Sequence, residues 1–155
     1  MKTELQPFNL GALMYVVCNL RPEEFEQARL TGLTDLDAVI LAFGSAAGPK
    51  WIFQTQDGTP LVAGGFIPTL PGSYRTWFLA TADAWASHGR AITVMAAERL
   101  GFMLENGARR LETLCLASRK DAHKWYETIG LVHEATLRSY YSDGSDAVLY
   151  VKVKG

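Results

Sequence analysis

Cysteine is nearly absent from this chain. Its 155 residues hold two, Cys18 and Cys115, each inside an apolar run, LMYVVCNL and LETLCLAS. Two thiols cannot form the disulfide framework of a small secreted domain, and neither has the spacing of a metal site. Both are expected as buried free thiols in a reducing compartment. An excess of charge of one sign is missing too. Fifteen Lys and Arg against 16 Asp and Glu leave a net charge of −1. No basic run breaks that balance, which excludes the electrostatic footprint of a nucleic-acid surface or an anionic membrane partner. No stretch approaches the roughly 20 apolar residues of a membrane span. The opening MKTELQPFNL lacks the apolar core of a secretory signal. These absences point to a cytoplasmic protein. With 48% hydrophobic residues and no internal repeat or linker, residues 1–155 are expected to form a single domain with its own core.

What is present is a succession of short elements. MYVVCNL, rich in β-branched and aromatic residues, predicts a first strand. RPEEFEQARL predicts a helix, with Pro22 near its start, acids in its first turn and Gly32 at its end. TDLDAVILAFG predicts a second helix, capped by Thr34 or Asp35 and stopped at Gly44. KWIFQTQ and PLVAGGFIPTL, joined at Asp57-Gly58, read as a hairpin, with Trp51 and Phe53 as its packing residues. PGSY turns the chain into a further strand, RTWFLATA.

RAITVMAAERLGFMLENGA predicts a long helix. Ile92, Met95, Ala96, Leu100 and Met103 lie on one face, and Gly107 ends it. RRLETLCLAS is a strand. KDAHKWYETIG is a helix with Ala122, Trp125, Tyr126 and Ile129 at the 3/4 spacing of one face. HEATLRSYY and AVLYVKVKG, around SDGSD, make a closing hairpin. The expected order is β-α-α-β-β-β-α-β-α-β-β, an α/β (α+β) fold around one mixed, mostly antiparallel sheet with helices on both faces.

Two stretches carry chemistry. ASHGRA, residues 86–91, places Gly89 and Ala91 ahead of the long helix, where unpaired amides and the dipole favour an anion. AHKWYETIGL places Ala122, Trp125, Tyr126, Gly130 and Leu131 after a strand. Together with the element order, these stretches make the chain resemble the GNAT superfamily of acyl-CoA-dependent N-acyltransferases. In that family a Q/R-x-x-G-x-G/A loop at the start of the long helix holds the pyrophosphate of acetyl-CoA. A later helix of form A-x-x-x-[FY]-Y-x-x-x-G-F carries a Tyr that protonates the departing thiolate.

The resemblance implies acetyl-CoA as co-substrate, a primary amine as acceptor, no metal, and room for a homodimer. Carried over residue by residue, it implies that Ser87, His88, Gly89, Arg90 and Ala91 meet the phosphates, with Ala86 where Gln or Arg is usual. Arg119 stands where many members have Asn. The strand end Leu79, Ala80 and Thr81 is implied to pair with the pantetheine arm and to polarise the thioester carbonyl. Tyr126, a phenol protonated at neutral pH, is implied as general acid. For a general base the candidates are Asp83, Glu112 and the histidines. His88 is the one nearest the loop, while His123 and His133 are expected at the surface. Asp83 reads equally as a turn or capping residue, and Glu112 as a solvent-facing strand residue. Trp77 and Trp85 bracket the strand end, as core packing or as an acceptor wall.

A narrower resemblance exists as well. TWFLAT followed by Trp85 and Gly89, with KWYETIGLVHE, is similar to small GNAT-like proteins of tailed bacteriophages and prophages, some of them described as internal virion proteins. That similarity implies a second possibility: a catalytically inactive module that binds a protein partner and is virion-associated.

Overall fold

The computed structural model describes residues 2–155. Its elements are β1 (Thr3–Pro7), α1 (Leu10–Cys18), α2 (Pro22–Leu30), α3 (Leu36–Gly44), β2 (Lys50–Thr55), β3 (Pro60–Leu70), β4 (Ser73–Ala80), α4 (Ala82–Glu105), β5 (Arg110–Leu116), α5 (Lys120–Thr128), β6 (Val132–Leu137) and β7 (Ala147–Val153). The seven strands form one mixed, mostly antiparallel sheet in the order β1-β2-β3-β4-β5-β7-β6. Strands β4 and β5 run parallel, paired through Ser73–Arg75 and Arg110–Glu112. The chain clusters into two compact units: the residues up to Ile67 with Trp77–Ile92, and Pro68–Thr76 with Thr93–Gly155.

The first predicted strand is a helix. MYVVCNL falls largely in α1, whose buried residues Ala12, Leu13, Val16 and Val17 follow the 3/4 helical spacing. Asn9 caps it, its Oδ1 accepting from the Ala12 N–H at 2.8 Å. The β-branched Val16 and Val17 suggest a strand locally, but one cap and one continuous apolar stripe outweigh them. The real first strand is TELQP, which pairs antiparallel with β2 from Thr3↔Thr55 to Pro7↔Trp51. A corrected order therefore has three helices between β1 and β2. Cys18, expected to be buried, is exposed at the end of α1; Cys115 is buried on β5.

Other expectations hold. Pro22 opens α2. Asp35, rather than Thr34, caps α3 through the Ala38 N–H. Gly32, Gly58, Gly107 and Gly130 all have positive φ, as helix ends and turns require.

In the first unit the core joins α1 and α3 to the sheet: Leu13, Val16, Val39, Ile52, Ala63, Trp77 and Leu79. Two adjacent glycines shape it. A Cβ on Gly64 would lie 2.5 Å from the Trp51 ring, and one on Gly65 2.5 Å from Trp77 Nε1. Because successive positions face opposite sides of a strand, the bare backbone at 64–65 accepts one indole on each face of β3. Trp77 packs on Phe43 with centroids 4.7 Å apart.

In the second unit β7 lies between β5 and β6, in register from Arg110↔Val153 to Leu116↔Ala147. The inward face of α4 is as expected, with Ile92, Met95, Ala96, Leu100 and Met103 all buried.

Candidate active site

The end of β4 is held tightly. Thr81 N–H donates to the Leu61 carbonyl on β3 at 3.0 Å. Successive amides of a strand point to opposite sides, so the Ala80 N–H faces away from β3. Leu79, Ala80 and Thr81 are all buried. Thr81 Oγ1 accepts from the Ala84 N–H at 3.0 Å and so caps α4. The turn before α2 is tied to the same place: Ala82 N–H donates to the Asn19 carbonyl, and Leu20 bridges Thr81. Arg21 lies over the Trp85 ring, 5.1 Å from its centroid, and its Nε lies 3.4 Å from the buried Glu24 carboxylate.

ASHGRA is not a free loop. It lies inside α4, where His88 leaves helical geometry with φ −134° and ψ 21° and kinks the helix beside Gly89. Ser87 and Arg90 are exposed, and His88, Gly89 and Ala91 are half-buried. A Cβ on Gly89 would meet nothing within 4 Å. A pyrophosphate fits this stretch in room and in charge, since Arg90 and His88 flank the glycine and residues 86–91 hold no acid. Asp83 is exposed in the first turn of α4.

In the second unit, Tyr126 is half-buried on α5. Its ring packs against Tyr150 at 5.5 Å and Trp125 at 5.7 Å. Trp125 is itself fixed by its Nε1–H donating to Thr93 Oγ1 at 2.9 Å. The register of AHKWYETIGL thus translates into an aromatic seat for Tyr126. Arg119 immediately precedes α5, and its N–H donates to the Leu116 carbonyl at 3.0 Å. His123, expected at the surface, is partly buried: its Nε2 lies 3.0 Å from the Leu116 carbonyl, and its ring packs on Tyr150. His133 is exposed, as expected.

Glu112 is engaged. It forms ion pairs with Arg75 and Arg110, both at 3.0 Å, and Arg110 also holds Glu134 at 2.6 Å. Each of its two oxygens thus accepts from a guanidinium, Oε1 from Arg75 and Oε2 from Arg110. The hydrogen bond from Arg110 holds the Glu134 carboxyl below its ordinary range. Burial pushes the Cys115 thiol up to about 11, the opposite of an activated nucleophile. Among the described residues no cluster of His, Cys, Asp and Glu suits a metal ion, and no helix is long and apolar enough to cross a membrane.

Sequence reasoning passed over Tyr141. It ends the stretch HEATLRSYY, expected as a strand, but β6 stops at Leu137 and Tyr141 lies in the β6–β7 connection, 5% exposed. Its only sequence signal is an aromatic pair, Tyr140-Tyr141, beside a turn of small polar residues.

No protein-family model matches the chain, and no curated protein matches it in sequence. Solved structures do match. A spermidine N-acetyltransferase SpeG chimera from Vibrio cholerae and hSSAT superposes with a TM-score of 0.79 at 10% identity, over 99% of this chain and 96% of that one. An acetyltransferase of the GNAT family from Bacillus anthracis gives 0.77 at 12% identity, over 99% and 96%. The ribosomal-protein-S18-alanine N-acetyltransferase from Escherichia coli gives 0.72 at 15%, over 99% and 95%. Over nearly its whole length, this chain has the fold of the GNAT acetyltransferases.

Proposed function

We propose that this protein transfers an acetyl group from acetyl-CoA to a primary amine. The observation that carries this is Tyr126: in a chain with the acetyltransferase fold, the AHKWYETIGL helix directly follows β5 and seats its phenol on an aromatic floor. Acetyl-CoA supplies the activated acyl group when bound. Gly89, with Ser87, His88, Arg90 and Ala91, would receive its phosphates. The backbone of Leu79–Thr81 would pair with the pantetheine arm as an added strand does, and Arg119 would lend positive charge. Tyr126 would donate its proton to the departing thiolate. Of the two carboxylates weighed as base, Asp83 is exposed and Glu112 is committed to two arginines, so Asp83 is the stronger candidate. A protein working on acetyl-CoA with reduced thiols suits the cytoplasm, as a single domain or a homodimer of such domains.

Titration calorimetry with acetyl-CoA tests this, with dephospho-CoA and adenosine as controls. CoA release is then followed with two amines, spermidine and an alanine-terminated peptide. Micromolar, phosphate-dependent binding with release of CoA is expected. No binding at millimolar acetyl-CoA would overturn the proposal.

A second reading, an inactive GNAT-like module of the phage type that binds a protein, draws on Ala86, which stands where the family carries Gln or Arg. It predicts the absence of that binding.

A further inference from the structure

The two rings that flank Tyr126 are held in different ways. Tyr150 belongs to the sheet. It sits buried on β7, in register with Thr113 on β5 and His133 on β6. Its ring meets those of His123 at 5.5 Å, Tyr126 at 5.5 Å and His133 at 5.9 Å. A strand paired on both sides, with three rings against this side chain, fixes that wall in place.

Trp125 is held by a single directed bond to another helix. It lies half-buried on α5, a helix of nine residues. Successive positions on a helix do not share a face. Trp125 therefore reaches the Tyr126 ring, 5.7 Å away, only in a rotamer that leans across it. The bond from its Nε1–H to Thr93 Oγ1 on α4, at 2.9 Å, selects that rotamer. An indole nitrogen can only donate and a threonine hydroxyl can accept, so the pair is chemically matched. A bond that merely satisfied the indole would matter for stability alone. A bond that orients one wall of Tyr126 matters for where the phenol points.

Resting on the acyl-transfer reading above, we infer that Thr93 is a positioning residue for the general acid: by holding the Trp125 indole against Tyr126, it fixes the direction in which the phenol presents its proton. As the C–S bond breaks, its electron pair leaves on sulfur, and the Tyr126 proton closes the S–H bond. The surplus proton of the amine, taken by the general base, returns through water to the phenolate. Thr93 takes no part in these transfers. Its contribution is geometric, and a misplacement of about 1 Å at a reacting group costs up to roughly 10²-fold in rate.

The test compares Thr93→Val, which nearly keeps the shape and removes the hydroxyl, with Thr93→Ser, which keeps the hydroxyl. Each is made alone and in a Tyr126→Phe background. CoA release from acetyl-CoA is followed with spermidine and the alanine-terminated peptide. Thr93→Val should lower kcat about tenfold, part of the roughly 10²–10⁴-fold a general acid contributes, with the KM for acetyl-CoA unchanged. Thr93→Ser should recover most of that loss. In the Tyr126→Phe background Thr93→Val should have no further effect, because no phenolic proton is left to aim. Wild-type kcat in Thr93→Val, an equal loss in Thr93→Ser, or a loss that persists in full without the Tyr126 hydroxyl overturns this inference and leaves acyl transfer standing. A wild type that binds acetyl-CoA but releases no CoA overturns both.

Discussion

Gly65 and Trp77 share one space. A Cβ on Gly65 would lie 2.5 Å from the indole Nε1 and 2.8 Å from the Pro49 carbonyl oxygen. The carbonyl is backbone and cannot swing aside. Gly65→Ala is therefore expected to destabilise the protein by about 1–3 kcal/mol, lowering Tm by roughly 2–4 °C per kcal/mol. Urea unfolding checks this, and an unchanged midpoint would show that Trp77 repacks without cost.

The two residues given opposite fates in the proposed chemistry can be told apart. Tyr126→Phe should lower kcat by roughly 10²–10⁴-fold with acetyl-CoA affinity retained. Glu112→Gln should leave kcat within about tenfold, well short of what a general base contributes, but should lower stability by freeing Arg75 and Arg110. Steady-state kinetics of CoA release decides both, and a collapse of kcat in Glu112→Gln would return the base role to that residue.

Gly89 is the cleanest probe of the phosphate site, because a side chain there meets open space. Gly89→Val should weaken acetyl-CoA binding by crowding the approach to the backbone. The fold should stand, since Val has at least the helix propensity of Gly. Equal affinity by calorimetry would move the phosphates elsewhere.

The two thiols should behave differently. Cys18 is exposed and Cys115 buried, so a thiol reagent near pH 8 should label one cysteine quickly and the other only on unfolding. Burial raises the Cys115 pKa from 9.0 to about 11. The folded state thus holds this proton more tightly than the unfolded state. The contribution is fully present below pH 9 and is lost as pH rises through 11. Cys115→Ala should flatten that part of the alkaline stability profile, measured by unfolding from pH 8 to 11.

Much of this was legible in the sequence wherever a local signal and the tertiary environment agree. Asp57-Gly58, Asp35 and Gly130 each need one particular backbone geometry, and the α4 stripe has a single period. The sequence misleads where the signals compete. Val16 and Val17 favour a strand by themselves, and only the Asn9 cap and the contact surface make them helical. Ser87 and Gly89 mark a boundary that is present, since helical geometry breaks at His88; what they do not reveal is the helical segment before it, which Thr81 caps. The register of Tyr126 could be read from its spacing. Tyr141 could not, because its burial depends on hydrogen bonds among Ser139, Ser145 and Asp146 that no short motif encodes.

The five residues of β1 also act as a cover. They occupy the outer edge of β2, whose Trp51, Ile52 and Phe53 are all buried. A chain shortened by its first eight residues would leave β2 as the margin of the sheet, with unpaired amides and carbonyls along a strand of apolar side chains. Such a margin recruits strands from other molecules. The short polar TELQP segment thus keeps the backbone of an apolar strand from standing at the margin of the sheet.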